Sequence, residues 1–530
     1  MSRFIDIFPD KGFYRPGDTV CLRAVVTGTG ELTVEFHISH LVTEVTAITA
    51  SISIPRDGQA VDVEWLPPSV APRGYGVDVE LIDDAGDTVD VISTAFDVLP
   101  DWTIYPRYGF LTDFAPHRDD VAATLEELNR YHINGLQFYD WQYRHDDLVA
   151  PTVEFDDPLE RRLSLATIRE LLDEAHRRGM AGMAYVAVYA ASTEFWQANP
   201  EWALYDDSGE ALTFGDDFLG LMNPTRGTPW ADHLQRRCDE VLARLSFDGI
   251  HIDQYGEPRT AFDFHGNPVD LPAAFSEFVT ELKERHPESP TTFNAVKNWP
   301  IDALVTAPMD FVYIELWPDT PTYRELGEIV ESAHMQSGGK PVVIALYLPV
   351  DRPINMRLAD ALIIAHGGSR IELGEQGRLL SDPYFPLHKT PSPTLRDMLR
   401  RYADFRVRYG DLLSPASTPS HSTVRHADDL WAVVRDVPGW TVINLVNMSG
   451  IVEAHWDEAH AEPPQIIDAS IEICTEAAVR EVWWASPDGD DYRLQPAEWS
   501  TSENDTIHVT VPSIDCWAMV AMELEPEKEA

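Results

Sequence analysis

The sequence predicts a multidomain chain: a central (β/α)8 barrel of the TIM type, flanked by an N-terminal and a C-terminal β-sandwich. Three observations predict it. A chain of 530 residues is longer than the roughly 250–300 residues at which a single core stops growing. Residues 1–100 and 412–530 carry short alternating apolar segments parted by turn residues, the pattern of small antiparallel sandwiches. Between them, over residues 101–411, strand-like apolar runs alternate with helix-periodic segments, the rhythm of a parallel barrel closed by a linking helix.

The N-terminal strands are expected at 20–26, 31–37, 60–65, 76–81 and 89–98, an immunoglobulin-like set. Turns at Arg15-Pro16-Gly17-Asp18 and Asp83-Asp84-Ala85-Gly86 separate them. Barrel strands follow at 105–111, 135–141 and 181–189. A fourth ends at Asp253 within SFDGIHIDQYGEPR (246–259), and others lie at 291–296, 310–318, 341–347 and 369–373. Helices are expected at 119–131, 163–178, 231–245, 272–285, 323–336, 357–366 and 395–409, from apolar residues at helical spacing. The connections 144–163 and 191–229 are long. Long connections in compact domains are usually functional, and both follow barrel strands, so both belong to the catalytic face. Late strands are expected at 430–434, 440–446, 480–485, 507–511 and 518–522, and the acidic tail 523–530 is expected to fray.

The net charge is −48. Nucleic acid is excluded as a partner, because phosphate binding needs a basic surface, and an anionic membrane is disfavoured for the same reason. Only six of the 40 basic residues are lysine: Lys11, Lys283, Lys297, Lys340, Lys389 and Lys528. Acid excess with scarce lysine suits a cytoplasm of molar salt, where the Debye length is about 3 Å and self-repulsion is screened. Cys21, Cys238, Cys474 and Cys516 form no CxxC pair, so neither a disulfide framework nor a cysteine zinc site is expected. Cys474 and Cys516 are read as buried thiols. The start, MSRFIDIFPDKGFYRPGD, shows no leader pattern, which points to the cytoplasm, the alternative being a secreted protein whose leader is absent from this chain. No run reaches the ~20 apolar residues of a membrane span.

Two strand ends carry the chemistry. In GIHID, Ile250 and Ile252 share one face and His251 and Asp253 the other, because side chains alternate along a strand. In DFVYIELWP, Glu315 stands near the end between Tyr313, Leu316 and Trp317. Two carboxylates at barrel-strand ends are the minimal equipment of a glycosidase, with one needing a raised pKa to serve as acid. The bland alternative makes Asp253 a helix cap and Glu315 the partner of an arginine. Around them, Tyr139, Asp140, Trp141 and His145 in NGLQFYDWQYRH crowd one strand end. Aromatic rings stack on sugar faces, and carboxylate or imidazole groups bind hydroxyls, although a tryptophan here also suits the core. His145 beside Asp146 and Asp147 lacks an HxH or HExxH pattern, so no metal is expected. Tyr189, Asn223, Tyr255, Asn294, Lys297, Trp317 and Tyr347 complete the candidate sugar-binding set, each placed at or just after a strand end or late in the second long connection.

Taken together, YRPGD, NGLQFYDWQYRH, MAYVAVYAA, LMNPT, FDGIHIDQYG, FNAV and YIELWP run in an order that resembles glycoside hydrolase family 66. That family contains dextranases and cycloisomaltooligosaccharide glucanotransferases. The resemblance covers nearly the whole chain. It implies action on α-1,6-linked glucans with retention of configuration. Asp253 is implied as nucleophile, Glu315 as acid/base, and Asp140 with its neighbours as the subsite of the sugar to be cleaved. No block of domain size interrupts the barrel strands here, which favours an endo-hydrolase over the cyclising transferases. A transglycosylase remains the alternative within enzymes, and a non-catalytic glucan-binding protein the alternative of another class. No cofactor is needed for this chemistry, and no EF-hand loop is present to hold calcium.

Overall fold

The structure, a computed structural model, describes residues 2–54, 58–215, 217–256, 259–317, 322–371, 373–381, 388–426, 429–451, 455–502 and 506–526. Of the stretches singled out from sequence, Asp216, Glu257, Pro258, Pro318, Glu372 and the last four residues of the tail, Lys528 included, lie outside the described residues.

The centre is a parallel sheet of eight strands: β1 (Tyr108–Leu111), β2 (Gly135–Phe138), β3 (Ala181–Ala187), β4 (Gly249–Asp253), β5 (Thr291–Val296), β6 (Val312–Leu316), β7 (Val342–Leu346) and β8 (Gly368–Arg370). They neighbour one another in chain order. The Ser369 hydroxyl donates to the Pro106 carbonyl at 2.9 Å, drawing the two edge strands together into a nearly closed barrel. Helices follow: α1 (Val121–Asn129), α2 (Leu165–Arg177), α3 (Pro229–Arg244), α4 (Leu271–Arg285), α5 (Ile301–Leu304), α6 (Tyr323–Gln336), α7 (Pro353–Ala365) and α8 (Pro393–Arg408).

Local chemistry explains these boundaries. Ser164, Thr228, Asp270, Thr322 and Ser392 each accept a backbone N–H at the start of α2, α3, α4, α6 and α8, satisfying donors that a helix leaves orphaned. At α6 the cap is reciprocal, with Glu325 reaching back to the Thr322 amide. Alternation along the strands makes two apolar layers. Ile250, Ile252, Ile314 and Ile344 pack outward under the helices, whereas Tyr108, Met183, Tyr313 and Val343 fill the barrel. His251 lies inside too, stacked on Tyr108 at 5.9 Å, and burial pushes its imidazole down to about 3.

The N-terminal region forms a three-stranded sheet (Arg3–Pro9, Val20–Thr27, Gln59–Trp65) and a four-stranded one (Gly30–His40, Thr43–Ile54, Arg73–Ile82, Thr88–Val98) over one shared core. Arg3–Pro9 and Thr43–Ile54 go beyond the strands expected from sequence; the second reads TEVTAITASISI, a run of small and polar residues with a weak apolar beat. The C-terminal region holds a six-stranded and a four-stranded antiparallel sheet with a common core. Its strand Ile466–Cys474 likewise exceeds the expected set.

Helix α8 ties the parts together. Arg408 donates to Asp78 at 3.0 and 2.8 Å, and Asp404 accepts from Thr94 at 2.9 Å and meets His132 at 2.7 Å. Gly76 is required there, since a Cβ would lie 2.3 Å from the Arg408 guanidinium carbon. On the other side the Tyr402 hydroxyl donates to Asp488 at 2.6 Å. All four cysteines are unpaired, Cys516 buried as expected and Cys474 only half-buried. Among the described residues no helix is long and apolar enough to cross a membrane.

Candidate active site

The carboxyl ends of β2 to β6 converge on a cleft of about 510 Å³. At its floor Asp253 ends β4 and Glu315 is the penultimate residue of β6. Between them stands β5, so a side chain pointing inward from β5 reaches both. That side chain is Asn294. Its Nδ2 donates to Asp253 Oδ1 at 2.9 Å and to Glu315 Oε2 at 2.6 Å. Two bonds to one nitrogen limit those oxygens to a separation of about 5.5 Å, the sum of the two lengths.

Each acid has further neutral donors. Tyr185 of β3 donates to Asp253 Oδ2 at 2.8 Å. Glu315 Oε1 accepts from Trp317 Nε1 at 2.8 Å and from the Tyr347 hydroxyl at the end of β7. Burial holds the phenols of Tyr185 and Tyr347 well above their ordinary range, so they stay protonated. Among the described residues neither acid forms an ion pair with lysine or arginine, and their direct partners are neutral donors. Burial pushes Asp253 up to about 7, with the Glu315 charge adding to it, and burial also raises Glu315. Two acids this close share a proton near neutrality.

The upper wall comes from the long connections. Residues Arg162–Ser164 and Glu154–Asp156 pair as a hairpin, and Ala190–Ser192, Thr213–Phe214 and Leu219–Leu221 form a small sheet. These bring Leu159, Phe214 and Phe218 to the mouth of the cleft. Asp140 sits just past β2 with φ +53, a left-handed backbone that Asp tolerates better than most residues. Arg161 donates to the Asp140 carbonyl at 2.8 Å and holds Asp157 at 2.7 Å. Burial raises the Asp140 carboxyl to about 6, with Arg161 opposing the rise. His145 is pushed down to about 4 by burial and is neutral near pH 7.

Of the residues expected from sequence, Tyr139, Asp140, His145, Tyr189, Tyr255 and Trp317 line the cleft with the two acids. Asn294 and Tyr347 lie beneath it and bind the carboxylates. Three of the expected residues lie off this lining. Trp141 is fully buried in the outer layer against Phe247 at 4.9 Å, its Nε1 donating to the Tyr185 carbonyl, because the chain turns after Phe138 and sends it outward. Asn223 is spent on a turn before α3, its Oδ1 accepting from Thr225 at 3.1 Å and its carbonyl from Thr228. Lys297 lies off the cleft lining, with its ammonium 4.6 Å from the centre of the Trp317 ring.

Sequence reasoning missed Tyr185, Gln254, Arg259 and the Leu159–Phe218 mouth. The signal for Tyr185 was available: Met183, Tyr185 and Ala187 share one strand face, and in the ladder Ala187 stands beside Asp253. The mouth residues carry no periodic signal. Among the described residues no cluster of three His, Cys, Asp or Glu forms a metal-ligand set.

A cycloisomaltooligosaccharide glucanotransferase of Niallia circulans is 24% identical over 699 aligned positions, taking in 97% of this chain and 71% of that protein. A dextranase of Streptococcus salivarius is 21% identical over 581 positions, with 89% of this chain and 70% of that one covered. The solved structure of a Paenibacillus sp. cycloisomaltooligosaccharide glucanotransferase complexed with cycloisomaltoheptaose shares the fold at a TM-score of 0.90 and 22% identity, over 98% of this chain and 100% of that chain. A maltogenic α-amylase of Thermotoga neapolitana shares it more distantly, at a TM-score of 0.53 and 11% identity over 80% of this chain and 100% of that one. The match to Glycosyl hydrolase family 66 runs from residue 9 to residue 521, through both flanking regions and all eight barrel strands, and the chain therefore belongs to that family as a glycoside hydrolase-type enzyme.

Proposed function

We propose that this protein is a retaining endo-hydrolase of α-1,6-glucosidic linkages in dextran or isomalto-oligosaccharides. The observation that carries the reading is the Asn294 amide spanning Asp253 and Glu315. Retaining enzymes hold their two carboxyl groups about 5–5.5 Å apart, inverting ones roughly 6.5–9.5 Å, and the upper limit that Asn294 sets on its two bonded oxygens lies below the second range. Asp253 attacks the anomeric carbon while Glu315 gives its proton to the departing glycosidic oxygen. Glu315 then takes a proton from water, whose oxygen displaces Asp253 from the glycosyl ester. The Tyr347 and Tyr185 hydroxyls accept as well as donate, so each acid keeps a partner in either protonation state. Tyr139, Asp140, His145, Tyr189, Tyr255 and Trp317 form the sugar-binding wall.

A specific observation favours a second reading, transfer of the glucosyl unit to another sugar hydroxyl: relatives named glucanotransferases align over 97% of the chain. Hydrolysis is preferred because the alignment to that relative is 169 positions longer than the 530 residues here, so the relative carries at least that much chain absent from this protein. The proposed division is a β-sandwich of immunoglobulin type over 1–100, the barrel over 101–411 and a second sandwich over 412–530.

The test is a product analysis on dextran, pullulan and starch. Linear isomalto-oligosaccharides from dextran, with the α-anomer formed first, are expected. Cyclic or lengthened products select the transferase, and action on starch alone rejects the α-1,6 substrate.

A further inference from the structure

Lys297 is an odd residue in its setting. It is one of six lysines in a chain where the other 34 basic residues are arginine. It follows β5 directly, and both Lys297 and Asn298 hold left-handed backbones, with φ of +53 and +60. Such strain in residues other than glycine persists where surrounding structure enforces it, and it concentrates near functional sites. The enforcing contact is visible: the Lys297 amide donates to the Glu315 carbonyl at 2.7 Å, tying the end of β5 to the backbone of the acid itself. The side chain then carries its ammonium onto Trp317, 4.6 Å from the ring centre. Trp317 lines the cleft, whereas Lys297 does not. The indole therefore contacts both the cation and the acid, its Nε1 meeting Glu315 Oε1 at 2.8 Å.

We propose that Lys297 is a positioning residue for the acid/base: its ammonium, seated on the Trp317 ring, fixes the indole so that Nε1–H is held on Glu315. A cation on an indole face is attracted by the ring quadrupole, draws electron density from the ring and strengthens its N–H as a donor. A stronger donor favours the ionised carboxylate. The other titratable groups facing Glu315 are Asp253 from β4, Tyr139 just past β2, Tyr313 of β6 and Tyr347 just past β7. None of these carries positive charge; among the described residues that leaves Lys297, acting through Trp317, as the cation that biases this acid. The inference rests on the glycosidase reading above and adds a residue that touches neither sugar nor reacting atoms.

Lys297→Met, Lys297→Arg and Trp317→Phe are compared with the parent on dextran and on an α-isomaltosyl fluoride, whose leaving group departs without a proton. Lys297→Met is expected to lower kcat on dextran about tenfold. It should also move the alkaline limb of kcat/KM up by about half a pH unit, with KM changed less than about twofold. The fluoride should be turned over at nearly the parental rate, Lys297→Arg should restore both rate and profile, and Lys297→Met should add nothing in a Trp317→Phe background. A raised KM with the pH profile in place marks a direct sugar contact and overturns the inference. So does a Lys297→Met enzyme identical to the parent while Asp253→Asn is inactive, an outcome that leaves the glycosidase reading standing. Full activity in Asp253→Asn overturns both.

Discussion

At the scale of single residues, the site is two buried acids that share one proton. Neither has a cation beside it among the described residues, and burial acts on both. Asp253→Asn and Glu315→Gln should each lower dextran hydrolysis at least about a thousandfold. On an α-isomaltosyl fluoride, whose leaving group needs no proton, azide should speed Glu315→Gln and give a glycosyl azide of retained configuration, whereas any azide product of Asp253→Asn would be inverted. The raised acid also has a stability signature. Burial, with the Glu315 charge adding to it, raises the Asp253 carboxyl from 3.8 to about 7 as a member of the pair. Between those values the folded chain binds more protons than the unfolded one, so stability falls as pH climbs through the window. Asp253→Asn removes that penalty. Its melting temperature should exceed the parent's by more near pH 8 than near pH 4, with a free-energy ceiling of about 4 kcal/mol. Equal gains at both values would show that Asp253 does not titrate high. These two acids were legible in the sequence because strand alternation and the barrel rim locate them. Asn294 was legible only as a polar strand end; its role as the bridge depends on β5 lying between β4 and β6, a fact of topology.

At the scale of elements, the eight strands and most helices follow from periodicity and caps, with boundaries drawn too long at the rim. The excess has one cause. Strand-like apolar residues continue past the last ladder bond, as in Tyr139-Asp140-Trp141 after β2, where the left-handed Asp140 breaks the strand and reverses which side chain faces the cleft. That single backbone turn is why Trp141 was misplaced. Weakly apolar strands such as Thr43–Ile54 were missed because their faces lean on Thr, Ser and Ala. Helix α8, expected as a linking helix, is the element whose charges join the barrel to the N-terminal sheets. Arg408 is 3% exposed in its side chain and pairs with Asp78. Arg408→Met should destabilise the chain by about 3–5 kcal/mol, because it leaves a buried carboxylate uncompensated. The double change Arg408→Met with Asp78→Asn should recover part of that loss. Urea unfolding with separate probes for the N-terminal sheets and the barrel checks it, and an additive double mutant would mean that the pair is not coupled.

At the scale of the whole molecule, the ruling quantity is a net charge of −48, spread over a fold whose internal pairs are already arranged. The buried ion pairs, Arg107 with Asp97 and Arg370 with Asp360, are shielded from bulk ions and contribute equally in dilute and concentrated salt. What salt can change is the repulsion among exposed carboxylates, which opposes compaction and reaches about 10 Å at 0.1 M but only about 3 Å at 1 M ionic strength. Melting temperature is therefore expected to climb steeply as KCl rises from about 0.1 to 1 M, where screening sets in, and more slowly beyond it. Exclusion effects of the salt itself would instead grow without levelling and would follow the identity of the anion. Comparing KCl with potassium sulfate at matched ionic strength separates the two. Coincident curves assign the gain to screening of this charge, whereas a much larger gain in sulfate would mean that the acidic surface is not what makes the protein depend on salt.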